Sequence, residues 1–161
     1  MLYKTIVCAT DGLEHSDRAL RRAGEIAQDS RAELHVVHVA DPPAGPRLLN
    51  DGFLAMVHRE RRERIRTQIA ELSDGEHGVS VVPHFLPDGR GSVAAQIADI
   101  ADRVDADLIV VGSRGRRAIG GALAGSVSQR LPHETRRPVL VLAAGPAPRS
   151  TLQRLRHVAH V

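Results

Sequence analysis

The sequence predicts an α/β chain, with five parallel strands in an open sheet and helices on both faces. Three observations carry that prediction. Five short apolar runs, rich in β-branched residues, alternate with longer segments of helical periodicity. The runs are apolar almost without a break, as strands covered on both sides must be. Their order is βαβ, a long connection containing a helix, then βαβαβ, which right-handed crossovers turn into a parallel sheet. A ligand crevice is expected at the carboxyl ends of the strands, where the strand order reverses. With 161 residues, the length fits one domain.

Each element has its own signal. Lys4 to Thr10 (KTIVCAT) is a buried strand that stops at Asp11-Gly12. Residues 14–30 place Ala19, Leu20, Ala23, Ile26 and Ala27 on one helical stripe. Glu33 to Ala40 is a second strand, halted by Asp41-Pro42-Pro43, and the Pro- and Gly-rich stretch to Gly52 is a loop. A charged helix over 53–73 carries Leu54, Val57, Ile65, Ile69 and Leu72 on one side. Val79 to Leu86 is a third strand. It contains Pro83, which lacks a ladder donor and so assigns the strand to a sheet edge. Ser92 is an N-cap for a helix whose inner face holds Val93, Ile97, Ile100, Ala101 and Val104. Asp107 to Val111 is the most strand-like run. A glycine-rich loop follows to Gly125, a helix opens at Ser126, and Pro138 to Leu142 is the last strand.

Composition excludes several functions. Apolar residues are 42% and charged residues 25%, with a net charge of +3, an ordinary balance for a globular chain. No apolar run reaches the ~18 residues of a membrane span, and Met1-Leu2-Tyr3-Lys4 does not read as a signal peptide. One cysteine, Cys8, excludes an intrachain disulfide or a multi-cysteine metal site. A cytoplasmic location is therefore expected, with no membrane partner. Aromatic residues are only 2%, leaving few platforms for stacked bases, which argues against nucleic acid.

The segment that carries chemistry is Gly112-Ser113-Arg114-Gly115, nine residues, then Gly125-Ser126-Val127-Ser128. The first glycine ends a buried strand and the second cluster opens a helix. Glycines let a phosphate approach main-chain N–H groups with no Cβ in the way. A helix start adds unpaired amides and a favourable dipole. Arg114, Arg116 and Arg117 contribute positive charge. Two glycine clusters around one loop suit a polyphosphate better than a single phosphate.

This G-x2-G-x9-G-S spacing resembles the nucleotide-binding signature of the universal stress protein family, in its ATP-binding branch. Further matching segments are Ile6 to Gly12 with Ser16, Leu34 to Val39, Asp107 to Gly115 and Arg137 to Val141, so the resemblance spans nearly all of residues 3–143. It implies a Rossmann-like sheet of the adenine nucleotide alpha hydrolase-like kind, with strand order 3-2-1-4-5. By position, Ala9, Thr10, Asp11 and Val39 resemble the adenine and ribose contacts. Gly112, Arg114 and Gly115 match positions beside ribose and phosphate, and Gly125, Ser126, Val127 and Ser128 match the phosphate-cradling turn. The resemblance also implies ATP with Mg²⁺ or Mn²⁺ held mainly through the phosphates. A homodimer through the last strand, Val139 to Leu142, is implied as well. Residues 1–144 would form the family domain and 145–161 an extension, either a mobile tail or a short helix capped by Ser150 that packs across the dimer. Arg114 stands where many relatives carry histidine. Pro132 falls inside the helix that opens at Ser126, where it removes one helical hydrogen bond.

Other readings fail on particular residues. A P-loop needs a lysine beside its Ser or Thr, and the only lysine is Lys4. The dinucleotide fingerprint needs G-x-G-x-x-G after the first strand, where this chain has Asp11-Gly12-Leu13. His35 and His38 lie three apart in a strand and face opposite sides, no carboxylate clusters with either, and His84 is no better placed. The arginine run at 59–66 reads as a solvated helix face with Arg59–Glu63 and Glu60–Arg64 pairs. Cys8 reads as a small core residue. Asp11 is the one acid placed near the crevice, and no second group is fixed to activate water. The leading expectation is therefore a nucleotide-dependent stress-response regulator with no catalytic residues. A slow ATPase or phosphotransferase acting through Ser126 or Ser128, and an interaction module without nucleotide, are the alternatives.

Overall fold

The computed structural model describes residues 2–40, 51–74, 78–87, 91–113 and 126–143. Among these residues nine elements follow in the expected alternation: β1 (Thr5–Ala9), α1 (Glu14–Ser30), β2 (Glu33–Val39), α2 (Asp51–Ser73), β3 (Val81–Leu86), α3 (Val93–Arg103), β4 (Leu108–Ser113), α4 (Ser126–Glu134) and β5 (Val139–Ala143). The five strands form one sheet in the order β3-β2-β1-β4-β5, and every pairing is parallel. Strand β3 lies at an edge with Pro83 exposed on it, as the missing donor requires.

Successive strand residues point to opposite faces, and the two apolar layers divide accordingly. Ile6, Cys8, Leu34, Val36, Leu108 and Val110 pack with Ala19, Leu20, Ala23 and Ala27 of α1 and Ile65 of α2. Val7, Ala9, Val37, Val39, Ile109 and Val111 pack with Ala94, Ile97, Ala98 and Ala101 of α3 and Leu131 of α4. Both faces are covered, which is why the strands read as unbroken apolar runs.

Local chemistry sets the boundaries. Ser92 Oγ accepts from the Ala95 amide at 3.1 Å, capping α3 as its residue type predicts. Helix α1 has no such cap: Leu13 stands at its N-cap position without a side-chain bond, and the β1–α1 turn supplies the order instead. The third strand begins two residues later than the sequence suggests. The Val79 amide donates to the Leu72 carbonyl at the end of α2, and the ladder starts where the Leu34 amide reaches the Ser80 carbonyl. Helix α4 continues through Pro132 to Glu134, with Leu131 fully buried just before it. The loss of one helical hydrogen bond there does not end the helix.

At the amino ends of the strands, Asp107 Oδ2 accepts from the amides of Lys4 (2.6 Å) and Thr5 (3.0 Å), pinning β4 to β1. Those two amide bonds hold the carboxyl below its usual range. Arg137 donates to Asp102, Asp105 and the Ala106 carbonyl, tying the start of β5 to the end of α3.

Candidate functional site

Because all five strands are parallel, their carboxyl ends share one side of the sheet. The chain runs from β1 outward to β3, then returns to β4 beside β1. The strand order thus reverses between β1 and β4, where doubly wound sheets open a crevice. Ala9 ends β1 with Thr10 and Asp11 directly after it, Val39 ends β2, and Gly112 lies one residue from the end of β4. Ser126 opens α4, exposed, with Val127 half-buried and Ser128 buried behind it. Arg114, Gly115 and Gly125 lie outside the described residues, as do 145–161 and any helix there. The described part of the predicted set gathers on this one side.

The β1–α1 turn is closed by a circuit of hydrogen bonds. Ser16 Oγ donates to the Leu13 carbonyl at 2.7 Å, so its 2.8 Å contact with Thr10 Oγ1 is donated by the threonine. Thr10 Oγ1 in turn accepts from the Gly12 amide at 3.1 Å. Asp11 Oδ1 accepts from the Leu13 amide at 3.1 Å, an Asx-type turn. Gly12 takes φ +71°, and a Cβ there would come within 3.1 Å of the Arg61 backbone on α2. Glycine is required at this point both for the left-handed backbone and for the close approach. The result is a hydrogen-bonded shelf that holds Asp11 just past the carboxyl end of β1, at the switch point.

The shelf is also held from β2. The Thr10 amide donates to the Val37 carbonyl at 2.9 Å. His38 Nδ1 donates to the Thr10 carbonyl at 3.0 Å. Burial holds the His38 imidazole below its ordinary range, and the charges of Arg61 and Arg62 act in the same direction. This role of His38 is not legible in the sequence, because the bond joins residues 28 positions apart and leaves no local pattern. By sequence, Arg61 is likewise only part of a charged helix face.

On the opposite sheet face a second histidine arrangement corrects the sequence reading. His35 Nε2 lies 2.8 Å from Glu33 Oε1, and His35 Nδ1 lies 2.9 Å from His84 Nε2, with the two rings stacked at a 5.1 Å centroid distance. A carboxylate does sit beside His35, two residues back on the same strand face, and His84 reaches it from the neighbouring strand. The groups are mutually satisfied. Among the described residues no group of three or more His, Cys, Asp or Glu is arranged to hold a metal ion. Cys8 is fully buried, and burial pushes its thiol up to about 12, so the core reading of that residue holds.

Ser113, at the end of β4, is fully buried, and its hydroxyl has no hydrogen-bond partner among the described residues. An unpartnered hydroxyl at the end of a central strand, next to the glycine segment, suits a site that takes a polar ligand. No helix among the described residues is long and apolar enough to cross a membrane.

Comparison with known proteins agrees with this arrangement. A Thermus aquaticus protein described as a universal stress protein in the QAH/OAS sulfhydrylase 3'region is 38% identical over 144 residues, covering 88% of this chain and 99% of that one. Universal stress protein G of Escherichia coli O157:H7 is 31% identical over 150 residues, covering 88% and 99%. Among solved structures, a universal stress protein in complex with cAMP matches at a TM-score of 0.61 and 28% identity, over 90% of this chain and all of that one. The Archaeoglobus fulgidus universal stress protein in complex with dAMP matches at 0.61 and 27%, over 88% and 98%. The family model described as "Universal stress protein family" matches residues 2–143, and with these identities and shared folds this chain belongs to the universal stress protein family.

Proposed function

We propose that this chain binds ATP at the carboxyl ends of β1, β2 and β4, and acts as a nucleotide-dependent regulator in the cytoplasm. The observation that carries the reading is the hydrogen-bonded Thr10–Asp11 shelf at the β1/β4 switch point, on the side of the sheet where α4 opens at Ser126. Two similar proteins whose structures hold adenine nucleotides, cAMP and dAMP, support the class of ligand. In this reading Ala9, Thr10, Asp11 and Val39 meet adenine and ribose, with Gly112, Arg114 and Gly115 beside ribose and phosphate. Gly125, Ser126, Val127 and Ser128 cradle the phosphates through amides and hydroxyls at the α4 start. Mg²⁺ or Mn²⁺ would be carried by the phosphates and would neutralise part of their charge. ATP occupancy favours whichever arrangement of residues 112–125 binds it more tightly, and so changes the surface offered to a partner.

A homodimer through β5 belongs to the same proposal. Strand β5 is a sheet edge, and Val139 to Leu142 are all half-buried apolar residues. Catalysis is not part of it. Asp11 is the one acid placed at the shelf, and general-base work needs a group within reach of an attacking water.

The test is calorimetric titration of the full chain with Mg·ATP, together with mass identification of nucleotide released on denaturation. Gly115→Val or Gly125→Val is expected to abolish binding while circular dichroism stays unchanged, because the added side chain blocks backbone approach. Unchanged affinity would remove the glycines from the site. Sustained phosphate release above that of a Gly125→Val/Ser126→Ala double variant would move the protein to the enzyme class.

A further inference from the structure

We propose that His38 is a positioning residue of the nucleotide site, fixing the Thr10–Asp11 shelf through its Nδ1 bond to the Thr10 carbonyl. The inference rests on the reading of this crevice as the nucleotide site and assigns a role to a residue that never meets the ligand.

His38 lies in β2 opposite Phe85 of β3, with its ring 1% exposed. The Phe85 ring stands edge-on to it at a 6.3 Å centroid distance. A carbonyl oxygen can only accept, so the 3.0 Å contact with Thr10 fixes the proton on Nδ1. That leaves Nε2 as a buried nitrogen with no hydrogen-bond partner among the described residues. An unpartnered buried acceptor opposes folding. Leucine or phenylalanine at this position would fill apolar space without that cost. What the imidazole supplies, and those residues do not, is the donor to Thr10.

Thr10 is the residue whose conformation decides the shelf. Its amide is spent on Val37, and its hydroxyl joins Gly12 to Ser16. Its carbonyl is the remaining backbone group, and it precedes Asp11 directly. Without the Nδ1 donor the Thr10 carbonyl loses the bond that fixes it, and the Thr10–Asp11 peptide plane, with the Asp11 main chain that follows, is held less firmly. Small displacements of a group that orients a ligand weaken binding without unfolding the protein.

The two side-chain amides separate the nitrogens. Asparagine places its NH₂ near the imidazole Nδ1, and glutamine near Nε2. Calorimetric titration of the full chain with AMP and with Mg·ATP is the readout, with urea unfolding of each variant alongside. His38→Asn is expected to keep affinity within about threefold. His38→Gln and His38→Leu should lose about tenfold or more, the worth of one hydrogen bond at a preorganised site. A purely structural role would change the unfolding midpoints of the Asn and Gln variants alike and leave their affinities together.

Unaltered affinity in His38→Leu, or in His38→Gln, overturns the inference alone, since the nucleotide reading would stand. Failure of the unaltered chain to bind either nucleotide overturns that reading and this inference together. Imidazole ¹⁵N spectra give a check that needs no variant to bind. The buried ring, identified by its absence in His38→Asn, should show the Nδ1–H tautomer, and an Nε2–H tautomer overturns the proposal.

Discussion

One buried imidazole, His38, and one half-buried imidazole, His84, make the fold sensitive to acid. Burial depresses His38, and burial with the neighbouring His35 depresses His84. A histidine whose folded value lies below its unfolded one binds fewer protons folded than unfolded, so its contribution is complete above about pH 6.5 and is lost as pH falls through the folded value. The His35–His84 contact adds a stoichiometric limit: one proton lies between Nδ1 and Nε2, and a second makes both nitrogens donors. Urea unfolding free energy is therefore expected to fall steadily below about pH 6.5, and His84→Gln should flatten part of that slope. A slope that is absent between neutral pH and the acid range would contradict the assignment. Cys8, held near 12 by burial, should resist iodoacetamide in the native protein and react fully in denaturant, read by intact mass. Neither histidine contact was legible in the sequence. His35 meets a residue 49 positions away, and a contact of that range exists only once β3 is laid beside β2. The role of glycine at residue 12 is equally invisible, because what forbids a side chain there is the Arg61 backbone on another helix.

Elements were far more legible than their contacts, since periodicity and capping are local. The Ser92 cap can be tested directly: Ser92→Ala removes the acceptor of the Ala95 amide and is expected to cost about 1 kcal/mol in chemical denaturation. Ile97→Ala on the same helix, 2% exposed, should cost about 2–5 kcal/mol by leaving a cavity in the α3 layer. An equal loss in the two would mean that the helix is held by its cap rather than by packing. Helix α2 shows where local rules give way. Charges four apart suggested Arg59–Glu63 and Glu60–Arg64, but Arg64 instead reaches Asp17 of α1, and Glu63 pairs with Arg66. A half-buried carboxylate on a neighbouring helix is a better partner than an exposed one on the same helix, because less water competes for the pair.

Among the described residues the sheet has two open edges, and they differ. Strand β3 is protected by Pro83, whereas β5 contains no proline. The Ile109 amide donates to the Pro138 carbonyl, so by alternation residues 140 and 142 face β4 while 139, 141 and 143 offer their amides to the free side. Val141→Pro is accordingly expected to leave the β4–β5 ladder in place and to convert the proposed dimer into monomer by sedimentation velocity. Alternation and handedness, which the sequence carries, lead to a doubly wound parallel sheet, and the order 3-2-1-4-5 is what the family resemblance adds. Which residues meet across it does not follow, because side-chain contacts depend on register. The seam between β1 and β4 also sets a timetable. Lys4 and Thr5 wait for Asp107, about a hundred codons downstream, and a ribosome adding roughly 5–20 residues per second needs about 5–20 s to deliver it. Through that interval the nascent first strand has one flank uncovered, and chaperones that grip extended apolar chain would have to reach it there.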